Sequence, residues 1–117
     1  YSIGVAEPVG FYVNTFGSAK VKNEKGDILK DSVIAKRILK LFDLRPYSII
    51  KRFGLKNPIF KPTATYGHFG RDHYKKEVEL YYLDNNGSKK NKKREVEFFA
   101  WEKLDYVDII KKEFNIK

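Results

Sequence analysis

The chain has 117 residues, 42% of them hydrophobic and 15% aromatic, which suffices for the core of one domain and excludes a disordered tail. It has no cysteine, so disulfides and thiolate metal sites are excluded, as fits a reducing compartment. Net charge is +9, and no apolar run reaches the roughly 20 residues of a membrane helix.

Tyr1, Ile3 and Val5 alternate with Ser2, Gly4 and Ala6, a strand period. Phe11–Phe16 is a second β-rich run, and Glu7-Pro8-Val9-Gly10 between them supplies turn residues. The pair predicts a hairpin, followed by a polar connection from Gly17 to Gly26. The chain has no methionine and opens inside a strand-like run, the expectation for a piece of a longer polypeptide.

The clearest helix comes next. Ile34, Ile38, Leu41 and Phe42 fall on one helical face, and Lys36, Arg37 and Lys40 fall on the other. Asp31 or Ser32 is placed to cap it. Pro46 sits where a second helix starts, since its missing N–H is unpaired in a first turn anyway. Tyr47, Ile50 and Phe53 give that helix an apolar stripe, and Gly54 is placed as its stop.

Val78, Leu80 and Tyr82 alternate with Glu77, Glu79 and Tyr81, and Val96 and Phe98 alternate with Glu95 and Glu97. These predict two strands around an Asn-Gly-containing loop. The intervening 85–94 stretch carries five basic residues and no acidic one; subtracting that +5 leaves +4 over the other 107 residues. It reads as a solvated loop tip, or as a surface that attracts nucleic acid or acidic lipid. From Asp105 to Phe114 a last helix is expected, with Val107, Ile110 and Phe114 on one side. The fold class is therefore mixed α/β (α+β), a small mixed or antiparallel sheet packed against two or three helices.

Candidates for chemistry are few. His68 and His73 are the only histidines, and their spacing gives no helical metal pair. His68 near Asp72 could form a base–orienter pair, but no motif supplies a nucleophile. Gly67-His68-Phe69-Gly70-Arg71 is either a tight turn or a backbone cradle for phosphate with Arg71 as charge partner. It lacks both the P-loop and the dinucleotide fingerprint.

Four blocks in order carry a more specific likeness. They are Tyr1-Ser2-Ile3-Gly4-Val5-Ala6-Glu7-Pro8, Phe42-Asp43-Leu44-Arg45-Pro46-Tyr47, the run from Thr63 to Arg71, and Trp101-Glu102-Lys103. Together they resemble the C-terminal portion of S-adenosylmethionine synthetases (methionine adenosyltransferases). Family members commonly pass from the glycine-rich block to Trp-Glu within a few residues, so residues 74–99 are expected to be an inserted hairpin in a domain spanning 1–117. Such a graft costs the core little.

The resemblance implies one of three pseudo-symmetric domains of an enzyme that joins ATP and L-methionine and releases phosphate and pyrophosphate. It implies magnesium and potassium in the full enzyme, a cytoplasmic homodimer or homotetramer, and no membrane. The family's nucleotide- and triphosphate-binding signatures are absent, so no catalytic or metal-binding residue is assigned here. One residue transfers by motif: Ile3, on the apolar wall of the methionine pocket. The segment is then mainly scaffold. A basic nucleic-acid-binding module using the 85–94 loop is the alternative.

Overall fold

The structure is a computed structural model that describes residues 1–116. Its elements are helix α1 (Asp31–Leu41), helix α2 (Pro46–Phe53), strand β1 (Tyr74–Leu83), strand β2 (Lys89–Phe98) and helix α3 (Val107–Glu113). Short 3-10 turns cover Lys61–Ala64 and Ala100–Glu102. The class is α+β, with three helices and one two-stranded antiparallel sheet among the described residues. The chain divides into two compact units, residues 1–49 with 104 onward, and residues 50–103.

In the first unit, α1 buries Ile34 and Ala35, and its Ile38 is half-buried. Leu29, Ile34 and Phe114 form the core, with Val13, Val21 and Ile110 against it. Each such fully buried side chain contributes about 1.5–3 kcal/mol. Phe42 stacks on Tyr106 at 4.5 Å between centroids, and α1 also meets α3 directly. Arg37 lies over the Phe114 ring at 5.8 Å and donates to the Glu113 carbonyl oxygen, a last-turn carbonyl of α3.

Two expectations in this unit are corrected. Residues 1–16 form no hairpin; the sole bridge nearby is Lys22 with Ile28. The N–H of Val5 bonds the Ser2 carbonyl at 3.1 Å, and Gly4 takes φ +84, so the first run turns where a strand would continue. A lone two-stranded ribbon is marginal in water, and alternation without a buried face does not fix it. Nor does Asp31 or Ser32 cap α1. The N-cap residue is Lys30, with no side-chain cap, because the Asp31 carboxylate is taken by Thr15.

Pro46 opens α2 as expected. Gly54 closes it at φ +62: its N–H bonds the Lys51 carbonyl, and the N–H of Leu55 reaches back to Ile50. That pair of bonds is the Schellman closure, which a left-handed glycine makes without strain.

In the second unit, β1 and β2 pair from Tyr74–Phe98 at the base to Leu83–Lys89 at the tip. The pleat puts Tyr74, Val78, Val96 and Phe98 on one face. There Val96 and Phe98 join Ile59 and Phe99 in a buried core, with Leu55, Val78 and Trp101 packed against it. The opposite face is charged. Glu77 stands directly across from Glu95, and each is relieved by a diagonal lysine, Lys93 at 3.4 Å and Lys75 at 3.6 Å.

The loop is Asp84–Ser88. Asp84 accepts the N–H groups of Asn86 and Ser88, and Gly87 takes φ +77. The 85–94 stretch is thus not one loop tip, because all five of its basic residues lie in β2.

Candidate functional site

The glycine-rich block and the Trp-Glu-Lys block, remote in sequence, meet in the second unit. The Trp101 indole N–H donates to the His68 carbonyl oxygen at 2.6 Å. The Glu102 carboxylate accepts the Gly70 N–H, also at 2.6 Å. Arg71 folds inward: its guanidinium donates to the Thr65 carbonyl at 2.6 Å and lies over the Phe99 ring at 4.8 Å. The loop is thereby stapled at three points. Tyr66, Gly67 and Gly70 take the left-handed backbone that lets it turn so sharply.

What delivers Trp101 and Glu102 to this loop is Phe99. It leaves β2 at φ +53, a left-handed conformation that costs an ordinary residue about 1–2 kcal/mol. Its ring is 1% exposed and sits edge-on to Trp101 at 5.7 Å, and such burial offsets the strain. The 3-10 turn from Ala100 follows at once and aims both side chains at residues 68–70. Nothing in the sequence pattern marks Phe99 for this role, because a left-handed aromatic has no compositional signal.

This geometry decides between the two readings of the glycine block. Gly70 and Arg71 are already bonded within the protein, so the phosphate cradle is not what they form. His68 lies by Trp101 at 6.2 Å and Phe69 at 6.3 Å, and no hydrogen bond joins it to Asp72. His73 instead lies with Nδ1 3.6 Å from a Glu97 oxygen, and Lys103 reaches the same carboxylate at 3.0 Å. Among the described residues no three His, Cys, Asp or Glu side chains gather as a metal-ligand set. No helix among them is long and apolar enough to cross a membrane.

The Asp43-Leu44-Arg45-Pro46 block is a second cluster, from which Arg45 also reaches Glu7 at 4.0 Å. Asp43 accepts from Arg45 Nε at 2.9 Å, from Arg45 Nη2 at 2.6 Å and from the Ser48 hydroxyl at 2.6 Å. Arg45 and then Ser48 hold the Asp43 carboxyl far below the usual carboxylate range, and Asp43 in turn raises the Arg45 guanidinium. The block locks the entry to α2, since the Ile49 N–H bonds the Arg45 carbonyl.

Ile3 lies in the first unit, 96% exposed, on the turned segment before Pro8. Beyond it, Pro8, Phe11 and Val13 face Ala35 and Leu39 of α1 across an apolar cavity of about 400 Å³.

The basic residues of β2 are partly neutralised. Lys90 pairs with Asp84 at 3.0 Å and Lys93 with Glu77, while Arg94 donates to Asn57. These cations lie in a strand, whereas a nucleic-acid-binding module using an 85–94 loop would place them in a loop.

Among known protein families, residues 1–78 match that of the S-adenosylmethionine synthetase C-terminal domain. Among curated proteins, the chain is 52% identical over 117 residues to the S-adenosylmethionine synthase of Cytophaga hutchinsonii, covering 100% of this chain and 26% of that protein. It is 50% identical over 116 residues to the S-adenosylmethionine synthase of Porphyromonas gingivalis W83, covering 99% and 25%. It is 43% identical over 116 residues to that of Flavobacterium johnsoniae, covering 99% and 26%. No solved structure matches. The chain spans about a quarter of the length of these curated relatives. Their alignments run through the hairpin, whereas the family match stops at Val78 inside β1.

Proposed function

The chain belongs to the S-adenosylmethionine synthetase family, whose C-terminal domain it carries, and on that premise we propose that it is part of an enzyme that makes S-adenosylmethionine from ATP and L-methionine. Phosphate and pyrophosphate are the other products. The observation that carries this reading is the 52% identity to a named synthase across the whole of the chain.

Within that enzyme the segment serves as scaffold and as one wall of the methionine pocket, with Ile3 as its contact. Tyr1 and Ile3 are fully exposed here, and Val5 is half-exposed. An apolar cluster of that kind is suited to being covered by another surface. Burying one such side chain is worth about 1.5–3 kcal/mol. An aliphatic wall suits the thioether of methionine, which is apolar and polarisable, and it keeps water from the sulfur as it attacks the ribose carbon. Holding those two atoms in line is a positioning task that a packed side chain performs without any charge.

Charge handling belongs elsewhere in this reading. Magnesium and potassium are the cations proposed for the full enzyme, where they would neutralise the triphosphate. The described residues do not fit such a site, so no step is routed through a metal by this chain. The enzyme is proposed as a homodimer or homotetramer in the cytoplasm. The glycine block, stapled by Trp101 and Glu102, is a scaffold element.

The test compares two purified proteins given ATP, methionine and magnesium. The full-length enzyme should form S-adenosylmethionine, and the 117-residue chain alone should not. Turnover by the chain alone would place catalytic groups where none is assigned. A full-length protein without the activity would remove the reading altogether.

A further inference from the structure

The sheet has two strands, so the outer edge of β2 pairs with nothing among the described residues. That edge carries Lys89, Lys90, Lys92, Lys93 and Arg94. The pleat sends Lys90, Lys92 and Arg94 to one face and Lys89 and Lys93 to the other. Across the sheet, β1 backs them with exposed Tyr81, Tyr82 and Leu83, so cationic heads lie beside apolar surface. The Lys93–Glu77 pair is exposed on both sides, and exposed pairs of this kind are weak enough to exchange partners.

This distal half of the hairpin lies past the end of the family match at Val78, although the alignments to the named synthases run through it. A second copy of the edge is a poor occupant. Pairing β2 with β2 sets lysine against lysine, in a chain already at +9. Charge complementarity calls for an anionic partner. A single-stranded nucleic acid is disfavoured, because the Tyr81 hydroxyl is bonded to Glu79 at 2.6 Å, which sets a carboxylate beside the ring on which a base would stack. Glu77 and Glu95 lie on the same face and repel a phosphodiester further.

We propose that the free edge of β2 from Lys89 to Arg94 docks an acidic, extended protein segment, which adds to the hairpin as a third strand. Main-chain hydrogen bonds give the affinity, and carboxylates at alternate positions all point to one face, where they meet Lys90, Lys92 and Arg94. This inference is independent of the synthetase reading.

The test uses the full-length protein and a short fluorescent peptide that alternates glutamate and valine. A peptide of the same composition, with all glutamates first and all valines after, carries equal charge but cannot match the pleat. The alternating peptide should bind about tenfold tighter than the block peptide. The Lys90→Gln, Lys92→Gln, Arg94→Gln variant, which removes the cations of that one face, should bind it about tenfold more weakly, as three exposed ion pairs imply. Amides of β2 should also gain protection from hydrogen exchange when the alternating peptide is present. Equal binding of the two peptides, or binding without added protection in β2, overturns strand addition. Tighter binding of polyuridylate than of either peptide overturns the choice of partner. No binding at all would mean that the lysines only guard the edge.

Discussion

The indole N–H of Trp101 donates to the carbonyl oxygen of His68 across 33 positions of chain, at 2.6 Å. Replacing Trp101 with phenylalanine keeps an aromatic ring beside Phe99 but removes this donor. The site is partly open to water, so the lost bond should cost about 0.5–1 kcal/mol, toward the low end for a hydrogen bond. Urea titration measures that loss. Hydrogen exchange should show faster opening confined to residues 66–71, and an unchanged rate there would mean that the bond does not hold the loop.

How far this was legible from sequence differs by element. The faces of β1 and β2 follow from strict alternation, because Val78, Val96 and Phe98 share a buried side while Glu77 and Glu95 share an open one. Pro46 and Gly54 announce the ends of α2 through backbone chemistry that no tertiary context changes. The run Tyr1–Val5 alternates equally well and is not a strand, since alternation predicts pairing only where a partner edge is present. Asp31 looked like a cap and instead clips Thr15, a contact 16 residues back that no local rule foresees. The stapled loop was half legible: the glycines announced a sharp turn, but its partners Trp101 and Glu102 were visible only as a family block.

Gly54→Ala should destabilise the second unit by about 1–2 kcal/mol, the cost of a left-handed alanine. The added Cβ would also stand 3.0 Å from Asn57 Nδ2, whose amide donates to the Gly54 carbonyl. Thermal unfolding reads the loss directly. A neutral result would require α2 to end in some other way.

Phe99→Ala removes a ring that is 1% exposed and should cost about 3–4 kcal/mol. The left-handed backbone makes a sharper prediction. At φ +53 alanine keeps the strain that glycine sheds, so Phe99→Gly should be the more stable of the two variants by about 1 kcal/mol. In an ordinary strand or helix the order is the reverse. Paired denaturation curves distinguish the two cases.

Asp31 gives a pH signature. Its carboxylate accepts the Thr15 hydroxyl at 2.6 Å and the Thr15 N–H at 3.0 Å, and these bonds hold its pKa below the ordinary 3.8. A depressed folded-state pKa adds stability that is full above the unfolded value and disappears as pH falls through the folded one. Wild type should therefore exceed Asp31→Asn in stability at neutral pH, and the gap should narrow only below about pH 4. Taking the difference between the two proteins cancels the similar contributions of Asp43 and Asp84, whose carboxyls are also depressed. Denaturation midpoints measured across that acid range provide the check, and a gap that stays constant would assign the effect to shape rather than charge.

Ile3→Asp in the full-length enzyme tests the pocket wall. An aspartate at a covered apolar position must desolvate its charge, a cost well above the about 1.5–3 kcal/mol of lost apolar burial. If Ile3 faces the methionine side chain, KM for methionine should rise by about tenfold or more while KM for ATP changes little. In this structure Ile3 is 96% exposed and supports no core, so the substitution should leave the folding of the chain itself intact. Its thermal midpoint is the control. Ile3→Val should restore most of the methionine affinity, because it removes one methylene and no apolar character. Equal weakening of both substrates, together with a lowered midpoint in the full enzyme, would show that Ile3 holds a subunit together rather than lining the pocket.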